Sequence, residues 1–299
     1  MQTQSNRQLW AQAVKTGIIK SNLIPMIAAL MLALYTYELN FIEYIPAIIY
    51  AILGSAAVIA AAGAYNNVYD RDIDQIMPRT KSRPTVTGEL SARQVLVAAT
   101  ILLIIGCVLL YLASPLAALL GFLGVFFYVV PYTMWTKRRT IWNTEVGSIS
   151  GAMPPLIGWA AVAPDIWHPA AWALFLIMVI WQMPHFYAIA IRKKEDYAAA
   201  NIPMLPVVKG ERRTYIQSNI YLVLLSLSSL LFLPLSLGLT IVSFILGIIW
   251  LYMSIIASKK KEEKKWANKM FTFSLIHMMA IFGTVFIYAS VGMILNALN

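Results

Sequence analysis

The sequence predicts an all-α integral membrane protein of nine transmembrane helices, with its N-terminus cytoplasmic and its C-terminus outside. Three observations carry that expectation. Charge is scarce: 12% of the 299 residues are charged and 60% are hydrophobic, against about 25% charged in a soluble domain, because charge in a hydrocarbon core is costly. Apolar runs recur at the length of about 20 residues that a bilayer requires. Basic residues gather in alternate loops, as cytoplasmic loops do.

The nine runs fall near 18–37, 45–69, 92–113, 116–135, 143–163, 170–191, 215–234, 238–257 and 270–295. The short loops "ELNFIEY", "ASP", "APDIWH" and "PLSLG" contain no Lys or Arg. The N-terminal segment, the edge of the first run and the longer loops hold all 23 basic residues. The net charge of +10 is thereby explained as an orientation signal, not a nucleic-acid footprint. The basic loop "SKKKEEKKWANK" reads as a solvated segment near anionic lipid. A single cysteine, Cys107, excludes an internal disulfide framework. The opening "MQTQSNRQLWAQAVKTG" lacks the features of a secretory or transit peptide, so the run near Leu23 is the expected membrane-entry signal and a bacterial plasma membrane the expected location. The chain reads as one domain, 1–299, with a chemical core over about 15–214 and three bland runs over about 215–295.

Run one carries Lys20 and Asn22 at its cytoplasmic edge. Run two ends in Asn66, Asp70 and Asp74, spaced four apart. Each step of four turns only about 40° around a helix, so the three side chains form one stripe; Asn67 and Asp72 point elsewhere. Like charges at that spacing repel, and a helix C-terminus disfavours anions. A missing cation resolves both problems, and few, hard oxygen ligands suit Mg²⁺ completed by phosphates and water. A structural ion-pair network is the alternative. Arg79, Lys81 and Arg83 follow at once and can meet phosphate, or act only as orientation signals.

Run five brings Asn143 and Glu145 to its cytoplasmic end, preceded by Arg138 and Arg139. Gly147, Ser148 and Gly151 permit close helix approach. Pro154 and Pro155 interrupt its backbone ladder, which is tolerated beside a cavity. Run six carries His185 in "WQMPHFYAIAI". A lone histidine in an apolar helix is usually a core residue, yet an intramembrane ionisable group is a functional candidate by default. His277 is a second such candidate, and His168 reads as structural.

The stretch "NNVYDRDID" resembles the first aspartate motif of the intramembrane prenyltransferases, the UbiA-like superfamily. "NNVYDRDIDQIMPRTKSRPTVTG", "RRTIWNTEVGSISGAMPPLIGWAAV" and "WQMPHFYAIAIRKKEDYAAANIPMLPVVKG" together resemble its protohaem IX farnesyltransferase branch, the haem O synthases. The resemblance implies a nine-helix bundle around a central cavity, farnesyl diphosphate and haem B as substrates, haem O and diphosphate as products, Mg²⁺ as cofactor, and a haem A synthase as a partner. It implies metal binding at Asn66, Asp70 and Asp74, diphosphate binding at Lys20, Arg79, Lys81, Arg83 and Arg138, and haem contact at His185 and His277; Trp181, Met183, Phe186 and Tyr187 are candidates for stacking on a porphyrin, with ordinary helix packing as the alternative. The superfamily's second acidic motif is reduced here to Glu195 and Asp196, flanked by Lys193 and Lys194. Asp196 is the candidate ligand for a second ion; a loop salt bridge is the alternative. A quinone-prenylating relative and a secondary transporter are the rival functions, the latter disfavoured because the charges gather at the rim rather than at the midplane.

Overall fold

A computed structural model describes residues 5–260 and 262–298. The first four residues, Lys261 of the last basic loop and the last residue lie outside the described residues. Every regular element among them is helical. A short helix, α1 (Asn6–Ala13), begins with a capping box between Ser5 and Gln8. Next come α2 (Thr16–Thr36), α3 (Ile45–Tyr69), the single turns α4 (Arg71–Asp74) and α5 (Pro84–Thr87), α6 (Ala92–Ala113) and α7 (Pro115–Phe127). The chain continues through α8 (Asn143–Gly151), α9 (Met153–Ala160), α10 (Pro169–Arg192), α11 (Lys194–Ala199), α12 (Leu205–Ser228), α13 (Leu237–Lys259) and α14 (Glu263–Leu298).

Among the described residues, eight helical stretches are long and apolar enough to cross a membrane. The expected fifth run is not one of them. It is divided into α8 and α9, which meet at Ala152. Pro154 and Pro155 have no N–H to offer the carbonyls of Ser150 and Gly151, so the ladder fails there. Two other runs differ from expectation in their bounds. The seventh begins at Leu205, ten residues' worth of loop being helical with a break at Gly210 (φ 76°). The last begins at Glu263. The fourth run extends α7 by a π-helical segment, Tyr128–Thr136. Pro131 lies inside it, and the hydroxyls of Thr133 and Thr136 donate to the carbonyls of Tyr128 and Pro131, each at 2.8 Å.

Helices pack where small residues let backbones meet. Gly54 of α3 faces Gly106 of α6, and a Cβ on Gly54 would lie 3.0 Å from the Gly106 carbonyl oxygen. The crossing of α2 and α9 is tighter. A Cβ on Gly158 would sit 2.9 Å from the Met26 carbonyl carbon and closer still to its oxygen. Gly158→Ala therefore forces the two helices apart, at about 1–3 kcal/mol. The expected result is a lower thermal midpoint in detergent, with Gly17→Ala, where a Cβ meets nothing within 4 Å, as the unaffected control. The outer faces of the long helices are apolar and exposed, as Ile101, Ile104, Val108 and Leu112 show along α6. That is a lipid-facing surface.

Candidate functional site

The bundle encloses a cavity of about 490 Å³ with two chemically different ends. Lys15, Asn66, Asp74, Arg79, Arg83 and Lys137 line one end. Val58, Val125, Met153, Ile157 and Met178 line the other. Asn66 lies eight positions beyond Val58 on α3, a rise of about 12 Å.

The acid stripe survives a change of helix. Asp70 is both the C-cap of α3 and the N-cap of α4. Its N–H bonds to the Asn66 carbonyl at 2.9 Å, and the Asp74 N–H bonds to the Asp70 carbonyl at 2.8 Å, so the i, i+4 register continues through the junction. Asn66, Asp70 and Asp74 are all buried. Asn66 donates through Nδ2 to Asp70 Oδ2 at 2.6 Å and to Thr133 Oγ1 at 3.0 Å.

Each member of the stripe has a cation. The Lys15 ammonium donates to Asn66 Oδ1. Lys137 pairs with Asp70. Arg83 pairs with Asp74 at 2.5 Å. The loop after α4 returns Arg83 to that position: the Thr80 hydroxyl donates to the Asp74 carbonyl at 2.8 Å, and Pro84 starts α5 directly behind. The π-helical segment sets Thr133 and Lys137 against α3, a use of π geometry common at functional sites. Lys15 holds a left-handed backbone (φ 55°) between α1 and α2. Burial first, then the neighbouring charges of Arg83 and Lys137, lower its ammonium to about 7, against the opposing pull of Asp70 and Asp74.

The structure distributes the sequence-predicted residues unevenly. Asn66, Asp74, Arg79, Arg83 and His185 line the cavity. Asp70 is fully buried directly behind them. Lys20 and Lys81 are exposed and outside the lining. Arg138 forks onto Asp72 at 2.6 and 2.7 Å, reaches Asp70 at 3.5 Å and lies over the Tyr69 ring. Those bonds hold the Asp72 carboxyl below its usual range and the Arg138 guanidinium above its own. Asp72 thus has a specific partner, on the outer side of the helix. Asp196 is outside the lining, 3.9 Å from Lys193. Glu145 also stands apart from the aspartates: its Oε1 accepts from Tyr187, from Gln217 at 2.9 Å and from Tyr221 at 3.1 Å, tying α8 to α10 and α12. His277 is fully buried against Trp250 and outside the lining, with neither ring nitrogen hydrogen-bonded among the described residues.

Sequence reasoning did not single out Lys15, Lys137 or Thr133. Their only signal was position: Lys15 directly precedes the first run, and Lys137 opens "KRR" at the end of the fourth. Of the candidate porphyrin contacts, Trp181 and Phe186 line the cavity, whereas Met183 and Tyr187 pack behind it.

The sequence profile of the UbiA prenyltransferase family matches residues 22–276. The chain belongs to the UbiA prenyltransferase family. Among its relatives, protoheme IX farnesyltransferase 2 of Lysinibacillus sphaericus is 64% identical over 291 residues, covering 97% of this chain and 92% of the relative. Protoheme IX farnesyltransferase 1 of Bacillus cytotoxicus is 60% identical over 285 residues, covering 95% and 93%. The UbiA fold itself is seen in solved structures. A digeranylgeranylglyceryl phosphate synthase superposes with a TM-score of 0.75 at 19% identity, covering 94% of this chain and 98% of the other. A UbiA homolog from Archaeoglobus fulgidus bound to DMAPP and Mg²⁺ superposes with a TM-score of 0.70 at 15% identity, covering 93% and 98%.

Proposed function

We propose that the chain transfers a farnesyl group from farnesyl diphosphate to a vinyl group of haem B, with addition of water, giving haem O and diphosphate, a step in haem A biosynthesis. The observation that carries this reading is one cavity that has both a cationic, acid-striped end and an apolar end. The first end suits a diphosphate and the second an isoprenoid chain. The haem half rests on relatives named protoheme IX farnesyltransferase, 57–64% identical over nearly the whole chain. In this reading the bundle crosses a bacterial plasma membrane nine times, the broken α8–α9 pair being the fifth crossing. The N-terminus and the acid stripe face the cytoplasm, the C-terminus lies outside, and a haem A synthase consumes the product.

The donor chemistry of the stripe fits Mg²⁺. Among the described residues no three His, Cys, Asp or Glu side chains cluster. Two buried carboxylates and the amide oxygen of Asn66 nevertheless form a partial shell of hard oxygens, of the kind that Mg²⁺ completes with phosphate and water. Asn66, Asp70 and Asp74 would hold Mg²⁺, which would supply Lewis-acid neutralisation of the diphosphate. Lys15, Arg79, Arg83 and Lys137 stabilise the negative charge that develops as the C1–O bond breaks and its electron pair leaves with diphosphate. The apolar end of the cavity shelters the allylic cation from water until the π electrons of the vinyl group attack it. Water then adds to the porphyrin side and releases a proton. No side-chain nucleophile takes part.

The test is pigment extraction from membranes that contain the chain, incubated with farnesyl diphosphate, haem B and Mg²⁺. Haem O should form, and a chelator should stop it. A prenylated quinone precursor in place of haem O would assign the chain to another branch of the family.

A further inference from the structure

His185 is held more closely than a packing residue requires. Its ring lies between Trp181 (centroids 4.5 Å apart, planes 18°) and Phe271 (5.3 Å, 28°), with the edge of Phe186 beside it. Both faces are covered, so the ring plane is fixed. Its Nδ1 lies 2.6 Å from the Ser274 hydroxyl oxygen. That oxygen lies in turn 2.5 Å from the Phe271 carbonyl oxygen. Two oxygens this close need a proton between them, and only the hydroxyl has one to give. The serine oxygen therefore faces Nδ1 as an acceptor, and the proton in that second bond belongs to the ring. No carboxylate bonds the ring, and the wall around it is apolar, so the neutral form is the one that fits. A neutral imidazole protonated at Nδ1 carries its lone pair on Nε2. The ring lines the cavity.

We propose that Ser274 is a positioning residue that fixes His185 as the Nδ1–H tautomer, so that Nε2 presents a lone pair to the iron of a porphyrin substrate. The assignment of the iron rests on the haem reading above; the assignment of the tautomer does not. Partners of this kind set the orientation and basicity of a ligating histidine. The carbonyl of the same serine accepts from Trp181 Nε1 at 2.9 Å. One residue of α14 thus holds both the ligand and the aromatic plane beneath it.

Two measurements on the full chain in lipid nanodiscs test this. Nitrogen NMR of ¹⁵N-histidine-labelled protein reads the tautomer, with His185→Ala identifying the resonance among the three histidines. Wild type should show Nδ1–H and a bare Nε2. Ser274→Thr should retain that state, and Ser274→Ala should give a mixture. A wild-type Nε2–H ring overturns the proposal even if Ser274→Ala fails to fold, and so does an unchanged tautomer in a folded Ser274→Ala. Titration with ferric haem B, followed by Soret absorbance, reads the iron. Ser274→Ala should weaken haem binding by about tenfold, with Ser274→Thr close to wild type and farnesyl diphosphate affinity unchanged in both. An equal loss of both affinities would reduce Ser274 to a packing role. If His185→Ala titrates like wild type, the contact between His185 and haem fails, while the tautomer result stands separately.

Discussion

Membranes containing Asp70→Ala or Asp74→Ala should accumulate the protein and should form no measurable haem O. Both carboxylates are buried on one stripe with Asn66, Asp74 lining the cationic end of the cavity and Asp70 directly behind it. In the reading above they supply two of the three protein oxygens of the metal site, and a loss of at least about 10²-fold is expected when a charge-stabilising group is removed from such a site. Asp74→Asn is the stricter variant. It keeps the size of the side chain and an acceptor for Arg83, which lies 2.5 Å away, and removes only the negative charge. Haem O yield per unit of membrane protein is the measurement. Near-normal yield in any of these variants removes the stripe from the metal site and restores the structural ion-pair network as its explanation.

The stripe was legible in the sequence because its geometry is local. Asn66, Asp70 and Asp74 share a face by helix pitch alone, and the chain keeps that pitch across the α3–α4 junction. The helical runs were legible for a similar reason: hydropathy is a property of a segment and needs no partner. The cations were not. Lys137 meets Asp70 only because the fourth run closes in a π-helical segment, and Lys15 meets Asn66 only because one residue adopts a left-handed backbone between α1 and α2. Neither feature has a hydropathy signature. Basic residues that orient a loop and basic residues that line a cavity look alike in a sequence; the structure separates them by exposure. It leaves Lys20 and Lys81 at the surface and brings Lys15 and Lys137 to the cavity.

Arg138 illustrates how neighbours divide the work. Lys137 and Arg138 are adjacent in sequence and both approach α3. Lys137 turns inward to Asp70, whereas Arg138 grips Asp72 on the outer side through two bonds, 2.6 and 2.7 Å long. Asp72 is largely exposed, so that pair contributes about 1 kcal/mol or less. Its effect is geometric: it anchors the end of the π-helical segment to α4 and leaves Lys137 little choice of direction.

Lys137→Met is therefore expected to lose both stability and activity, and a second substitution separates the two losses. Asp70 is 0% exposed and Lys137 is its close partner, with Arg138 at 3.5 Å. Removing one partner of a buried pair leaves an uncompensated charge, at about 3–5 kcal/mol. Replacing both partners with neutral groups avoids most of that penalty. The double variant Lys137→Met/Asp70→Asn should thus regain most of the thermal midpoint lost by Lys137→Met in detergent. Its haem O formation should remain absent, because in the proposed reading the leaving diphosphate loses both an ammonium and a metal-binding carboxylate. Thermal unfolding and haem O yield, measured on the same preparations, give both answers. Recovery of activity together with stability would mean that the pair acts only as a structural bridge between the π-helical segment and α3.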